Sequence, residues 1–114
     1  MIIHRLTEAL SPLAGGRVFF QVLPEGKLKY PAMVIQFAGI TPNSALEDAD
    51  LDNYRVQVDV YSGDPAELMT LRKPAEEAVT ESIPFSHRIS SEFGFEPDTK
   101  LHRLILEFNI SSDE

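Results

Sequence analysis

There is no cysteine among the 114 residues of the sequence. That absence removes thiolate nucleophiles, disulfides and zinc–thiolate centres together. Basic residues are scarce as well: ten Lys and Arg stand against eighteen Asp and Glu, a formal charge of −8. A protein that grips a phosphate backbone needs clustered Lys and Arg, so no specific nucleic-acid binding is expected. The surplus of like charge favours solubility through repulsion between copies. No apolar run approaches the roughly 20 residues that cross a bilayer, so no membrane span is expected. The opening MIIHRLTEAL scatters charge where a secretion signal needs an unbroken apolar core. The product is therefore expected to remain in the cytoplasm, and the sequon Asn109-Ile110-Ser111 is expected to be a strand end.

Motifs for chemistry are equally scarce. His4, His87 and His102 show neither the i, i+4 spacing of a helical metal pair nor an HExxH run. No G-x-S-x-G elbow exposes a serine as nucleophile. Gly15-Gly16 precedes a predicted strand, whereas a phosphate-binding loop follows a strand and opens a helix. Asp48, Asp50 and Asp52 repeat the first ligand positions of a calcium loop. Counted from Asp48, however, the sixth position is Asn53 where the turn needs Gly, and the twelfth is Asp59 where a bidentate Glu is needed. No metal, no cofactor and no enzyme activity are expected.

The remaining pattern is that of a packed α+β domain. Ile2, Ile3, Leu6, Ala9, Leu10 and Leu13 form one apolar helical face, stopped by Gly15-Gly16. RVFFQVL, 17–23, and the apolar stretch 32–37 read as strands, with Pro31 where the second begins and Pro24 to Lys27 as a turn between them. Residues 39–53, GITPNSALEDADLDN, read as a long acidic loop with little to bury, and hence flexible. In the third strand Tyr54, Val56, Val58 and Val60 point one way, and Arg55, Gln57, Asp59 and Tyr61 the other.

Asp64-Pro65-Ala66-Glu67 then starts a helix: a capping acid, a proline suited to the first position, and a glutamate placed for a capping box. Leu68, Leu71 and Val79 should line its buried face, with Arg72, Glu76 and Glu77 left in water. Pro74 predicts a kink or a break into two pieces. Residues 86–95 and 101–111 read as two further strands around a turn. The order α-β-β-β-α-β-β predicts a single domain spanning 1–114. It should hold a five-stranded, mostly antiparallel sheet with both helices on one face. Two contact surfaces stand out: the loop residues Asn43, Glu47, Asp48, Asp50 and Asp52, and the strand-face pair Asp59 and Tyr61.

Three blocks in this order carry a resemblance: GRVFFQVLPEGKLKYPAMVIQF, RVQVDVYSGDPAELMTLRKPAEEAV and FEPDTKLHRLILEFNIS. Together with the N-terminal helix they cover nearly the whole chain. The chain resembles the tail completion proteins of long-tailed phages and prophages, also called tail terminator or head–tail joining proteins. The resemblance implies a structural virion protein at the head–tail junction, assembled in the host bacterial cytoplasm. It further implies self-association into a ring, typically a hexamer, that caps the tail tube protein and meets a head connector or head completion protein. The loop would then order in the ring, facing its lumen or the tube. A competing reading is a small ligand-binding or regulatory α+β domain of ferredoxin-like outline. That reading needs a pocket with converging polar groups, and the sequence displays no such set.

Overall fold

The alternating residues 54–61 become the middle strand of a five-stranded sheet. The computed structural model describes residues 2–42 and 52–112. In chain order the elements are α1 (Ile2–Leu10), a short 3₁₀ turn (Ser11–Leu13), β1 (Val18–Phe20), β2 (Ala32–Pro42), β3 (Asp52–Ser62), α2 (Pro65–Ser82), β4 (Ser86–Glu96) and β5 (Leu101–Ser112). The spatial order of strands is β1-β2-β3-β5-β4, with β1 parallel to β2 and every other pair antiparallel. Fold class and element order are those the sequence predicts.

The core follows from period two meeting period 3.6. Val56, Val58 and Val60 on β3 lie beside Phe108, Leu106 and Leu104 on β5, and all six are fully buried. Ile2, Leu6 and Leu10 from α1 and Leu68, Ala75 and Val79 from α2 close the same cluster. Each large side chain buried there contributes about 1.5–3 kcal/mol relative to exposure. α1 ends where Pro12 opens the 3₁₀ turn, and Gly15 (φ +57°) and Gly16 (φ +82°) reverse the chain in the left-handed region.

Several local expectations are corrected. β1 stops at Phe20 because Gln21 takes a positive φ of 74°, which ends the extended run predicted to reach residue 23. The loop predicted over 39–53 is partly strand. Gly39 to Pro42 continue β2 and pair with Arg55 to Asp52, after a bulge between Phe37 and Gly39 shifts the register by one residue. Thr41 and Asn53 are thus ladder partners, and the Ser111 hydroxyl donates to Asn53 Oδ1 at 2.8 Å. Residues 43–51 lie outside the described residues. α2 is one unbroken helix through Pro74. Burial of Leu68 before the proline and of Ala75 and Val79 after it holds both halves to the sheet, and outweighs the one hydrogen bond lost.

The start of α2 improves on the predicted capping box. Asp64 Oδ1 accepts from the Ala66 N–H at 2.9 Å, as expected. Glu67 does not reach the Asp64 N–H directly. It accepts from the Ser62 hydroxyl at 2.6 Å, and that hydroxyl accepts from the Asp64 N–H at 3.0 Å. The buried Ser62 therefore relays the box. Leu71 is partly buried against the core, while Glu76, expected in water, is buried. Its carboxylate is drawn in by three partners: Arg72 at 3.0 Å, Arg88 at 3.5 Å and the Ser91 hydroxyl. Two of these come from β4, so the pairing ties the helix to the edge of the sheet.

Candidate interaction surfaces

The face of the sheet turned away from the helices is built by the alternate residues of β3 and β5. Arg55, Gln57, Asp59 and Tyr61 lie beside Asn109, Glu107, Ile105 and Arg103. Side chains of opposite charge interleave across it. Arg55 pairs with Glu107 at 3.3 Å, Gln57 Nε2 donates to Asp59 Oδ1 at 2.8 Å, and Arg103 Nη2 donates to Asp59 Oδ2 at 2.8 Å. The Arg103 guanidinium also sits 5.8 Å from the centre of the Tyr61 ring, within cation–π range.

Asp59 is on the face the alternation predicts, yet it is not solvated. None of it is exposed. Its strand is the third of five, so Val34 flanks it on β2 and Ile105 on β5, with Gln57 and Tyr61 before and after it. Ala32 and Val34 share this face and are also buried. The connection of residues 21–31 must travel back along the sheet to bring β2 parallel to β1. Its Leu23 and Leu28 are half-buried, and Gln36 reaches it through a 3.4 Å hydrogen bond to the Gln21 carbonyl. The predicted pair thus divides: Tyr61 is half-exposed, and Asp59 acts through Arg103.

Burial above all, and then the neighbouring Asp59 carboxylate, raise the Tyr61 phenol above its ordinary value of 10.0. Burial works against the Arg103 cation, but the hydrogen bond and charge of Asp59 outweigh it and leave the guanidinium more basic than usual. A phenol raised on folding stabilises the protein fully below the unfolded value and loses that contribution as pH climbs through the folded one. The unfolded chain ionises first. Tyr61→Phe is therefore expected to lose less stability than the parent protein as pH rises above about 10, measured by urea unfolding at each pH. Parallel losses in the two proteins would contradict the shift.

Of the predicted loop surface, Asn43, Glu47, Asp48 and Asp50 lie outside the described residues. Asp52 is described: it opens β3 and pairs in register with Pro42 and Ser112. The histidines stay apart. His87 lies opposite Asn109, as a hairpin turning near Asp98 requires, and His102 packs on the Phe95 ring at 4.8 Å. Among the described residues no three His, Asp or Glu side chains gather as a ligand set. A cleft of about 270 Å³ between the start of α1 and the start of β4 is lined by Ile2, Arg5, Ile83, Phe85 and Ile110, a largely apolar wall.

Residues 2–112 match the family described as tail completion protein gp17. The chain belongs to that family. It is accordingly a structural tail protein of phage type, in keeping with a sequence that offers no catalytic constellation. No curated protein matches the chain. Among solved structures, the fold is similar to that of a chain in the virion of a native gene transfer agent particle. The two share 13% identity at a TM-score of 0.61, over 96% of this tail completion protein and 90% of the other chain.

The surface that sequence reasoning missed is the β4 edge. Phe93 and Phe95 alternate with Glu92 and Glu96, so the stretch reads as an ordinary half-buried strand. In the fold it is the last strand of the sheet, and both aromatic rings stay half-exposed.

Proposed function

We propose that the protein completes the tail of a long-tailed phage or prophage particle by forming a ring, of six copies in the family's usual arrangement, on the end of the tail tube. The ring stops the tube and presents a surface to the head connector, so the protein resides at the head–tail junction. The observation that carries this reading is the family match across residues 2–112; the fold shared with a virion chain supports it. In this reading the acidic segment 43–51, with Asn43, Glu47, Asp48 and Asp50, meets the tube or the lumen, and Asp52 at the start of β3 adjoins it. A lumen wall of this charge repels phosphate and lets a genome slide past instead of sticking.

The test is to replace residues 44–50 by a short Gly-Ser bridge and score both folding and assembly. Thermal unfolding is expected to change little, because the ladder of β2 and β3 from Pro42 and Asp52 inward stays intact. Particles are expected to show unjoined heads and tails, or overlong tails. Normal infectious particles from the shortened variant would remove the loop from the mechanism.

A further inference from the structure

Exposed large apolar side chains concentrate at the two opposite edges of the sheet. At one edge are Phe20 on β1 and Ile40 on β2, 48% and 55% exposed; at the other are Phe93 and Phe95 on β4, 50% and 53% exposed. All four are on the helix-bearing side. Phe93 lies opposite the buried Leu104 and Phe95 opposite His102 on β5, Ile40 lies opposite Tyr54, and Phe20 meets the Phe37 ring at 5.6 Å. The edges also match in height. Following the ladders across the sheet, Phe93, Leu104, Val60, Met33 and Val18 form one row, and Ser91, Leu106, Val58, Ile35 and Phe20 another.

Strand direction and charge give the two edges a common partner. β4 runs antiparallel to β5 and β1 parallel to β2, so β4 and β1 run in opposite directions. Two copies side by side in the same orientation therefore bring β4 of one antiparallel to β1 of the next. The exposed Glu92 and Asp98 lie on and just beyond β4, while the exposed Lys27 and Lys29 lie in the connection at the other edge. β1 itself is blunted as a backbone template. The Val18 N–H is satisfied by the Gly16 carbonyl, and the Phe20 carbonyl by the Val22 N–H, each at 3.0 Å. Contact through side chains, not an extended hydrogen-bond ladder, is what this edge offers.

We infer that successive copies of the chain meet edge to edge, with Phe93 and Phe95 of one packing against Phe20 and Ile40 of the next. Two different patches on opposite sides of one subunit make a head-to-tail contact, the kind that closes into a ring where a two-fold contact closes at a dimer. This inference rests on the ring reading above and names the surfaces that build it.

The natural chain has no cysteine, so introduced thiols report without background. Phe20→Cys, Phe93→Cys and the double variant are produced in particle-forming cells, and each purified protein is checked for a parent-like circular dichroism spectrum. Purified particles are then treated with a short bismaleimide and run on a denaturing gel. The double variant is expected to give a ladder of linked oligomers reaching the full ring, and each single variant to stay monomeric. Phe93→Asp, which sets a charge in the apolar contact where cysteine stays a small apolar side chain, is expected to fold like the parent and to lower incorporation into particles at least tenfold. Dimers from Phe93→Cys alone would establish a two-fold contact and overturn the head-to-tail edge. An unlinked double variant in particles that carry a visible ring would overturn this interface and leave the ring standing. Particles of the parent protein without any ring would overturn both.

Discussion

Phe108→Ala is expected to lower the unfolding free energy by about 3–5 kcal/mol, the cost of truncating an aromatic ring in a close-packed core. Phe108 is fully buried and among the largest side chains in the core. It sits on β5 between Val56 of β3 and Arg88 of β4, at the level where the sheet is covered by the helices. The neighbours are strands held in register on both sides, so the void left by the ring cannot collapse easily. Phe93→Ala provides the contrast: its ring is half-exposed on the edge strand, and its loss should cost at most about 1 kcal/mol. Urea unfolding measures both, with a shift in midpoint and an unchanged slope as the signature of altered stability. Similar losses at the two positions would mean that the core is not where the alternation of β5 puts it.

The second large effect is expected at the buried ion pair, and it should be lopsided. Arg103→Met leaves the Asp59 carboxylate sealed with the Gln57 amide as its remaining polar contact, and should cost about 3–5 kcal/mol. Asp59→Asn leaves a guanidinium whose side chain is still 30% exposed. That cation can turn toward water, and the amide keeps a hydrogen bond, so the loss should be nearer 1–2 kcal/mol, about the value of a charge-assisted bond. The double variant should be more stable than Arg103→Met alone, because the uncompensated charge is gone. Equal single losses, or a double variant that simply sums them, would show that the pair is not coupled as its 2.8 Å contact implies.

The period-two and period-3.6 patterns of Tyr54–Val60, Leu104–Ile110 and α1 made the core and the element order legible in the sequence, since each depends on one element and its own periodicity. What was not legible depended on the neighbours an element acquires. Asp59 reads as an outward contact residue until β3 is placed third of five strands, where Val34 and Ile105 flank it and it is buried. Glu76 reads as wet until β4 brings Arg88 and Ser91 to it. Gly39 and Pro42 are poor strand formers, yet the ladder from β3 carries them along to the end of β2. Pro74 is tolerated for the same reason. The exposed edges at Phe20 and Phe93 were not legible, because their exposure is a property of strand order.

The ring proposed at the junction of tail and head can be imaged in purified particles by electron cryomicroscopy. Density for this fold is expected in a single closed ring between the last layer of the tail tube and the head connector, with the β4 edge of each subunit facing the β1–β2 edge of the next. The same fold repeated along the tube, or its absence from that junction in infectious particles, would contradict it.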